Sequence, residues 1–322
     1  MNTNDSRPIF LSGATGFVGS HLYPKLVEAG YDVRCGTRSP EKAQKEHPHR
    51  QWVAFDVHDP ATVVRALRGC RAAFYLVHEM AAGGDYRKRE QEAALGFREA
   101  AGELGVERVV YLGGVAPAGV PSEHLSSRLQ TGRILRGGTA STIELRASMI
   151  IGPGSASWQV VRDLAARLPL MLLPAWTRSR TEPIYLDDVL VALMGALELE
   201  RGDSRSFDIP GPDKLTVEEM LLQTAELLGN QPRRLYVPVL SPKLSSYWLR
   251  FVTGTNWHIA RELVEGLTSD LVARDDAFWD LIDHRQRVSF DEAARRTLWA
   301  QGDDVKKPRS EGSSGEESAH LQ

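Results

Sequence analysis

The stretch that decides the fold is IFLSGATGFVGSHLYPKLVEAG, residues 9–30 of the 322-residue chain. It opens with a short β-forming apolar run, passes through three glycines, and continues as an amphipathic segment. In that segment Leu22, Leu26 and Val27 are predicted to share one helical face, and Gly30 supplies a helix stop. This order predicts a strand, a tight glycine turn and a helix that points its partially positive N-terminus at the turn.

The three glycines are spaced as a dinucleotide-binding turn requires. One glycine allows the tight turn, another lets the backbone approach a pyrophosphate, and the third lets the helix pack closely on the strand. The helix N-terminus then favours phosphate. The stretch therefore predicts an NAD(P) site, and a glycine-rich turn without ligand is the alternative. The cofactor contacts expected from this segment are Gly13, Thr15, Gly16, Phe17, Val18 and Gly19.

Apolar runs and amphipathic stretches continue to alternate along the first half of the chain. Further strands are predicted at DVRCGTR, HRQWVAFDV, RAAFYLV, RVVYLGG and STIELRA, with helices between them. Such alternation is typical of a parallel, doubly wound sheet with helices on both faces. We predict an α/β, Rossmann-type fold with a cofactor-binding core at 8–150. A smaller, mainly helical substrate region, interleaved with the last strands, is expected at 151–300, and a polar, disordered tail at 302–322.

The residues that follow the predicted strands indicate which dinucleotide binds. NAD-binding proteins usually carry an acidic residue after the second strand, which accepts hydrogen bonds from the ribose hydroxyls. Here Arg38 follows that strand, and an arginine can pair with a 2′-phosphate, so NADP(H) is favoured and NAD(H) is the alternative. Asp56 is expected to accept from the adenine amino group, or else Asp56 or Asp59 caps the next helix. Val57 and Val77 complete the predicted cofactor contacts.

The ordered motifs GATGFVG, FDVHD, YLVH, RVVYLGG, ELRASMIIGPGS and EPIYLDDV resemble those of the short-chain dehydrogenase/reductase superfamily. The likeness is to its extended and atypical branches, including NmrA-like and NAD(P)-dependent epimerase/dehydratase-like proteins, and it spans residues 8–230. The resemblance implies a Rossmann domain, an NAD(P) cofactor and a substrate cleft between the core and the C-terminal region. It also implies a hydroxyl residue after the fifth strand, and then a proton-donating tyrosine with a lysine four residues on.

The chain departs from that pattern in GGVAPAGVPSEHLSSR, residues 113–128. Gly113 and Gly114 stand in place of the hydroxyl residue and are expected to offer backbone N–H groups and open space. His124 and Arg128 stand in place of tyrosine and lysine, four residues apart and hence on one helix face. Histidine can serve as a general acid near neutral pH, and arginine as a permanent cation for a ribose or phosphate. A water-facing residue on a surface helix is the alternative for His124.

His78, in YLVH, is a second candidate acid because it follows the fourth strand, near the expected nicotinamide ribose. The alternative is a histidine whose hydrogen bonds are made within its own loop.

In EPIYLDDV, Tyr185 belongs to a segment that returns to the cleft in the resembled family, and Asp187 and Asp188 are predicted caps of the following helix. Arg146 matches a family arginine that follows the sixth strand.

Composition limits the partners. The net charge of −3 provides no basic field for nucleic acid, and the longest apolar run, LPLMLLPAW, is too short for a membrane span. The two cysteines, Cys35 and Cys70, lack metal-site spacing, so no metal is predicted, and their small number favours a reducing, cytoplasmic location. A small-molecule substrate is expected, and the number of subunits is left open.

Two functions fit these features. The first is an atypical NADP(H)-dependent oxidoreductase or isomerase that acts on an apolar carbonyl or alcohol compound through a non-standard active site. The second is a non-catalytic NAD(P)(H)-binding protein that senses redox state or stabilises a complex. Both need the glycine turn. The absent tyrosine and lysine favour the second function, whereas the space expected at Gly113 and Gly114 and the developed C-terminal region favour the first. The tryptophan-rich C-terminal region is interpreted as helical core, with an apolar substrate pocket as the alternative.

Overall fold

The computed structural model describes residues 6–77, 86–237, 269–303 and 305. Its strands are β1 Ile9–Leu11, β2 Val33–Thr37, β3 Gln51–Ala54, β4 Ala72–Tyr75, β5 Arg108–Gly114, β6 Ser141–Ala147, β7 Ile150–Ile151, β8 Leu170–Pro174, β9 Arg180–Thr181, β10 Ile184–Tyr185, β11 Arg205–Asp208, β12 Leu215–Thr216 and β13 Arg233–Val237. The helices are α1 Phe17–Glu28, α2 Pro40–Glu46, α3 Pro60–Leu67, α4 Tyr86–Glu103, α5 Glu123–Arg136, α6 Ala156–Arg167, α7 Leu186–Glu198, α8 Val217–Leu227, α9 Ala277–Leu281 and α10 Phe290–Ala300.

Seven strands form the main sheet, in the order β11-β6-β5-β4-β1-β2-β3. Every neighbouring pair in it is parallel, as the predicted alternation of strands and helices requires. The Rossmann-type α/β prediction is therefore confirmed. The predicted strands RVVYLGG and STIELRA coincide with β5 and β6 at both ends. The LPLMLLPAW run forms β8 and the start of a short 3₁₀ helix, Ala175–Arg178.

Two apolar layers cover the sheet. On one side an aromatic cluster packs beneath α3, α4 and α5, with ring centres of Phe10 and Phe55 4.9 Å apart and those of Tyr75 and Phe97 4.8 Å apart. On the other side α1 and α7 pack on β1 and its neighbours. Val27 is 46% exposed, so its predicted place on the buried face is wrong. It directly follows Leu26, and one residue of helix rotates a side chain by about 100°.

A second apolar core lies among α6, α8 and α10, around Trp158 and Phe290. Thr216 and Glu219 form a capping box at the start of α8, and Ser289 accepts a hydrogen bond from the Glu292 amide at the start of α10. Trp279 is buried in the sheet layer, which supports the core interpretation for this residue, whereas Trp299 of α10 is exposed. The SSYWLRFVTGTNW stretch, residues 245–257, and nearly all of the predicted tail lie outside the described residues.

Asp188 joins the late part of the chain to the sheet. The residue is 3% exposed, its Oδ1 lies 2.8 Å from Nε2 of His284, and its Oδ2 accepts from the Val288 amide at 2.9 Å. The prediction that Asp187 and Asp188 cap α7 is wrong, because the capping position is Tyr185 and no side chain makes the capping hydrogen bond. Asp188 faces inward instead, where the segment between α9 and α10 takes both carboxylate oxygens.

We expect Asp188→Ala to lower the free energy of unfolding by about 3 kcal/mol, because it leaves the half-buried Val288 N–H and His284 without their acceptor. Asp187→Ala, in the same helical turn but exposed, removes a similar helix-dipole interaction and should cost less than about 1 kcal/mol. Urea unfolding of both variants measures the difference. Equal losses would show that Asp188 does not anchor the C-terminal segment.

Candidate cofactor and active site

The glycine turn after β1 leaves no room for side chains at two positions. Gly13 has φ +67°, and a Cβ there would lie 2.7 Å from the carbonyl oxygen of Leu76. A Cβ on Gly19 would collide with the carbonyl oxygen of Gly13. Ser12 ties the turn to the end of β4, because its hydroxyl donates to the Phe74 carbonyl at 2.8 Å and accepts from the Leu76 amide at 2.9 Å. The turn is thus pressed against two neighbouring segments.

The first turn of α1 is open to an anion. Its capping residue is Gly16, which provides no side-chain hydrogen bond, and no acidic residue stands in the first turn. The first backbone N–H groups of a helix have no partner within the helix, so here they are available to a ligand. An uncapped N-terminus beside a turn that only glycine can form fits the pyrophosphate of NAD(P).

A cleft of about 570 Å³ runs from this turn along the carboxyl ends of β2, β3 and β4. Of the predicted cofactor contacts, the structure places these along it: Gly13, Thr15, Gly16, Arg38, Asp56, Val57 and Val77. The other three do not line it. Gly19 is buried under the turn, Phe17 packs against the 152–154 loop, and Val18 packs on the core between α1 and the sheet.

The outer end of the cleft is cationic. Arg38 is exposed just beyond β2, and the Ser39 amide donates to Oγ1 of Thr37 at 3.2 Å, which shapes the loop. Lys42 of α2 also lines this end, 3.8 Å from Glu46 in an exposed ion pair. The sequence interpretation missed Lys42, since α2 buries only Ala43 and gives no apolar periodicity.

Asp56 lies at the cleft wall beyond β3. Its Oδ1 accepts from the His58 amide at 3.0 Å, and its own amide donates to Oγ1 of Thr62 at 3.0 Å. Of the two aspartates considered as caps for the next helix, Asp59 is the one that caps it, with Oδ1 accepting from the Ala61 amide at 3.0 Å. Asp56 is thus held in a turn at the place where the adenine was expected.

The inner end of the cleft reaches side chains that the sequence interpretation missed. Glu90 of α4 is 8% exposed, and its carboxylate accepts from the Ser127 hydroxyl of α5. Tyr111 of β5 donates from its hydroxyl to the Arg128 carbonyl at 3.0 Å. Burial raises the pKa of Tyr111 to about 12 against the opposing charge of Arg128, so its hydroxyl stays protonated at neutral pH. Thr131 completes this end.

The two candidate residues on α5 lie at the carboxyl edge of β5. Ser122 caps the helix by accepting from the Leu125 amide at 3.3 Å. Nη2 of Arg128 donates to the Leu112 carbonyl at 3.0 Å, so the guanidinium is held against the end of the strand. Both His124 and Arg128 are half-buried, and neither is among the residues that line the cleft. His78 lies outside the described residues.

The expected open space beside Gly113 and Gly114 is absent from this part of the structure. Both glycines are buried. A Cβ on Gly113 would lie 3.1 Å from the Tyr111 ring and 3.2 Å from Glu144, and one on Gly114 would lie 2.6 Å from Leu125. These glycines therefore make room for packed neighbours, and the prediction that they leave space for a ligand is wrong.

A buried charge network lies under α5. Glu144 of β6 is fully buried, and its carboxylate accepts from Nε of Arg136 at 2.8 Å and from Nε of Arg146 at 2.9 Å. Burial opposes the charge of Arg146, but the hydrogen bonds and attraction to Glu144 outweigh it, so the pKa of Arg146 is raised. Gly132 of α5 packs directly against this carboxylate. Arg146, expected after the sixth strand, lies within it.

Residues 13–149 match a protein family described as NAD(P)H-binding. This segment runs from the glycine turn after β1 to the residues that follow β6, and it resembles NAD(P)H-binding domains of the short-chain dehydrogenase/reductase superfamily. The chain is 25% identical over 275 residues to a putative dihydroflavonol 4-reductase of Synechocystis sp., covering 74% of this chain and 78% of that protein. It is 24% identical over 255 residues to the ceramide reductase of Caulobacter vibrioides, covering 74% and 76%.

A solved structure has the same fold as this chain. It is the UDP-glucuronic acid 4-epimerase from Bacillus cereus in complex with UDP-glucuronic acid and NAD. The TM-score is 0.66 at 13% identity, and the match covers 90% of this chain and 97% of that one. The resemblance inferred from the ordered motifs is confirmed.

Within the described ranges 6–77, 86–237 and 269–303, no helix has the length and apolar character needed to cross a membrane. In the same ranges no three His, Cys, Asp or Glu side chains are grouped as a metal site would require. Cys35 and Cys70 are both buried thiols, and burial raises their pKa values to about 12 and about 11.

Gly19→Ala should weaken NADPH binding at least about tenfold, because its methyl group displaces the turn that receives the pyrophosphate. Gly96→Ala is the matched control: Gly96 lies within α4, and a Cβ there meets nothing within 4 Å. That substitution should leave binding unchanged and stabilise the helix by about 0.5–1 kcal/mol. Fluorescence titration with NADPH and thermal unfolding measure both effects; unimpaired binding by the Gly19 variant would contradict this assignment of the turn.

Proposed function

We propose that this protein is an NADP(H)-dependent oxidoreductase that reduces or forms a carbonyl group on an apolar small molecule. The observation that carries the proposal is the cationic outer end of the cleft. An NAD(P)H-binding domain here presents Arg38 directly beyond β2, where a ribose-binding carboxylate is usual in NAD-binding proteins.

Arg38 suits a 2′-phosphate better than a ribose diol. A guanidinium offers a planar fork of N–H donors and no acceptor, whereas a diol is best held by a carboxylate. Lys42 adds a second cation in the same wall of the cleft, and its exposed pair with Glu46 is weak enough to yield to a phosphate. NAD(H) is the alternative, and the Bacillus cereus epimerase structure holds NAD.

When bound, the cofactor supplies or accepts a hydride at the substrate carbon. Reduction of a carbonyl then requires one proton at the oxygen, and we assign its delivery to His124, which stands in place of the usual tyrosine. Arg128, four residues on, is a permanent cation whose guanidinium the Leu112 carbonyl holds at the end of β5. It would stabilise negative charge on the substrate oxygen or hold a ribose. His78 is the second candidate for the acid.

The curated relatives support a reductase. Both the Synechocystis protein and the Caulobacter protein are reductases by name, and each match covers about three quarters of both chains. The epimerase among the solved structures supports the fold. An apolar substrate and a cytoplasmic location stay predictions from the sequence.

A non-catalytic NAD(P)(H)-binding protein, as a redox sensor or a stabiliser of a complex, is the second candidate. It is favoured by the absence of a hydroxyl residue at the end of β5, where Gly113 and Gly114 are packed against their neighbours. In this alternative Arg128 and Glu90 hold α5 in place, and the cofactor acts as a ligand whose binding is the output.

Arg38→Ala should raise the Kd for NADPH about tenfold or more and change the Kd for NADH less than about twofold, because only NADPH carries the 2′-phosphate. Arg65→Ala, an exposed arginine on α3 that does not line the cleft, is the control and should change neither. Fluorescence titration with both dinucleotides gives the four constants. Equal weakening of NADPH and NADH by Arg38→Ala would remove the basis for NADP specificity.

A screen of apolar ketones and aldehydes with NADPH tests catalysis, and His124→Gln should lower kcat at least about 100-fold with little change in NADPH affinity. His49→Gln, an exposed histidine away from the cleft, is the control and should keep full activity. His78→Gln tests the second candidate acid. Unchanged rates in both the His124 and His78 variants would exclude both as the acid. Binding without turnover across the screen would support the non-catalytic function instead.

A further inference from the structure

Arg50 lies behind the glycine turn, on the segment that leads into β3. Its Nη1 donates to the carbonyl oxygen of Ala14 at 3.1 Å. The guanidinium carbon stands 4.3 Å from the ring centre of Tyr23 in α1 and 5.8 Å from that of Trp52 in β3. One half-buried cation thus touches the turn, the helix that follows it and an outer strand of the sheet.

The segment that carries Arg50 is itself fixed to these elements. The indole Nε1 of Trp52 donates to the His47 carbonyl at 3.1 Å. The Tyr23 hydroxyl lies 3.5 Å from the His49 carbonyl, at the limit of a hydrogen bond. Stacking on an aromatic face and a charge-assisted hydrogen bond to a carbonyl both hold a guanidinium in one orientation. The position of Arg50 is therefore set from outside the turn.

The hydrogen bond to Ala14 constrains the peptide that follows it. In a trans peptide the carbonyl and the next N–H point in opposite directions, so an Ala14 carbonyl directed at Arg50 turns the Thr15 N–H away from it. Thr15 lines the cleft and Arg50 does not. Arg50 therefore fixes, from the far side, the orientation of a backbone donor next to the uncapped start of α1.

We propose that Arg50 is a positioning residue for the dinucleotide pyrophosphate: it holds the Ala14–Thr15 peptide in the orientation that binds phosphate and does not itself touch the cofactor. Because the role exists only if a dinucleotide binds in this cleft, the inference rests on the proposed function. It predicts a selective effect. Ligands that carry a pyrophosphate depend on Arg50, and ligands that reach only the outer end of the cleft do not.

The test compares wild type with Arg50→Met, which keeps an unbranched apolar stem over Tyr23 and removes the donor. Three ligands are titrated by calorimetry: NADPH, ADP-ribose, which carries a pyrophosphate, and adenosine 2′-monophosphate, which does not. The Kd values for NADPH and ADP-ribose should rise about tenfold, and that for adenosine 2′-monophosphate should change less than about twofold. Arg50→Lys, which keeps the charge without the planar fork, should fall between wild type and Arg50→Met.

Arg34→Met is the matched control, because Arg34 also anchors backbone carbonyls, donating from Nη1 to Ala66 at 3.0 Å and to Arg68 at 2.7 Å, away from the turn. It should leave all three Kd values unchanged. If the Kd values for all three ligands were unchanged in Arg50→Met, or rose equally, the positioning role would be overturned. In that case NADPH binding by the wild-type protein would still support the proposed cofactor binding. A wild-type protein that bound neither NADPH nor ADP-ribose would overturn both the positioning role and the proposed cofactor binding.

Discussion

The close approach of the turn after β1 to the end of β4 is the constraint on which the cofactor site depends. Gly13 adopts a left-handed conformation with its α-carbon against the Leu76 carbonyl. The Ser12 hydroxyl donates to the Phe74 carbonyl and accepts from the Leu76 amide. Because β1 and β4 are adjacent in the sheet, this contact fixes where α1 begins relative to the carboxyl edge of the sheet. The position of the cleft between the helix N-terminus and the outer basic side chains depends on that starting point.

The placement of α5 depends on groups that have no direct part in binding the cofactor. Buried Glu144 holds Arg136 at the end of the helix, and Gly132 lets the helix backbone approach that carboxylate. Near the start of the helix, the Ser127 hydroxyl donates to the Glu90 carboxylate and the Arg128 guanidinium donates to the Leu112 carbonyl. A buried ion pair of this kind contributes little net stability, but losing one partner is costly, so the network specifies where the helix sits.

The sequence predicted the sheet strands because they are local patterns: apolar runs bounded by glycine and polar residues. It predicted the glycine turn for the same reason. It could not predict which helix surface meets the cleft, since Lys42, Glu90 and Thr131 come from three helices whose side chains meet only after folding. Asp188 was assigned as a cap because its position in the first turn is visible in the sequence while its rotation toward His284 is not. The sequence could not show that the position beside Gly113 is filled, because the side chain that packs there, Glu144, is distant along the chain.

The pairing of β11 with β6 has a consequence for how the chain folds. Arg205–Asp208 runs parallel to the strand that contains residues 143–146 and forms the edge of the main sheet. Until the ribosome has released residue 208, β6 is itself an exposed edge with unpaired N–H and C=O groups, beside the buried charges of Glu144 and Arg146. Non-local pairing of this kind slows folding, and an open parallel edge is where nascent chains associate. The first 150 residues are therefore expected to need the later chain, or a chaperone, to avoid edge-to-edge association during synthesis.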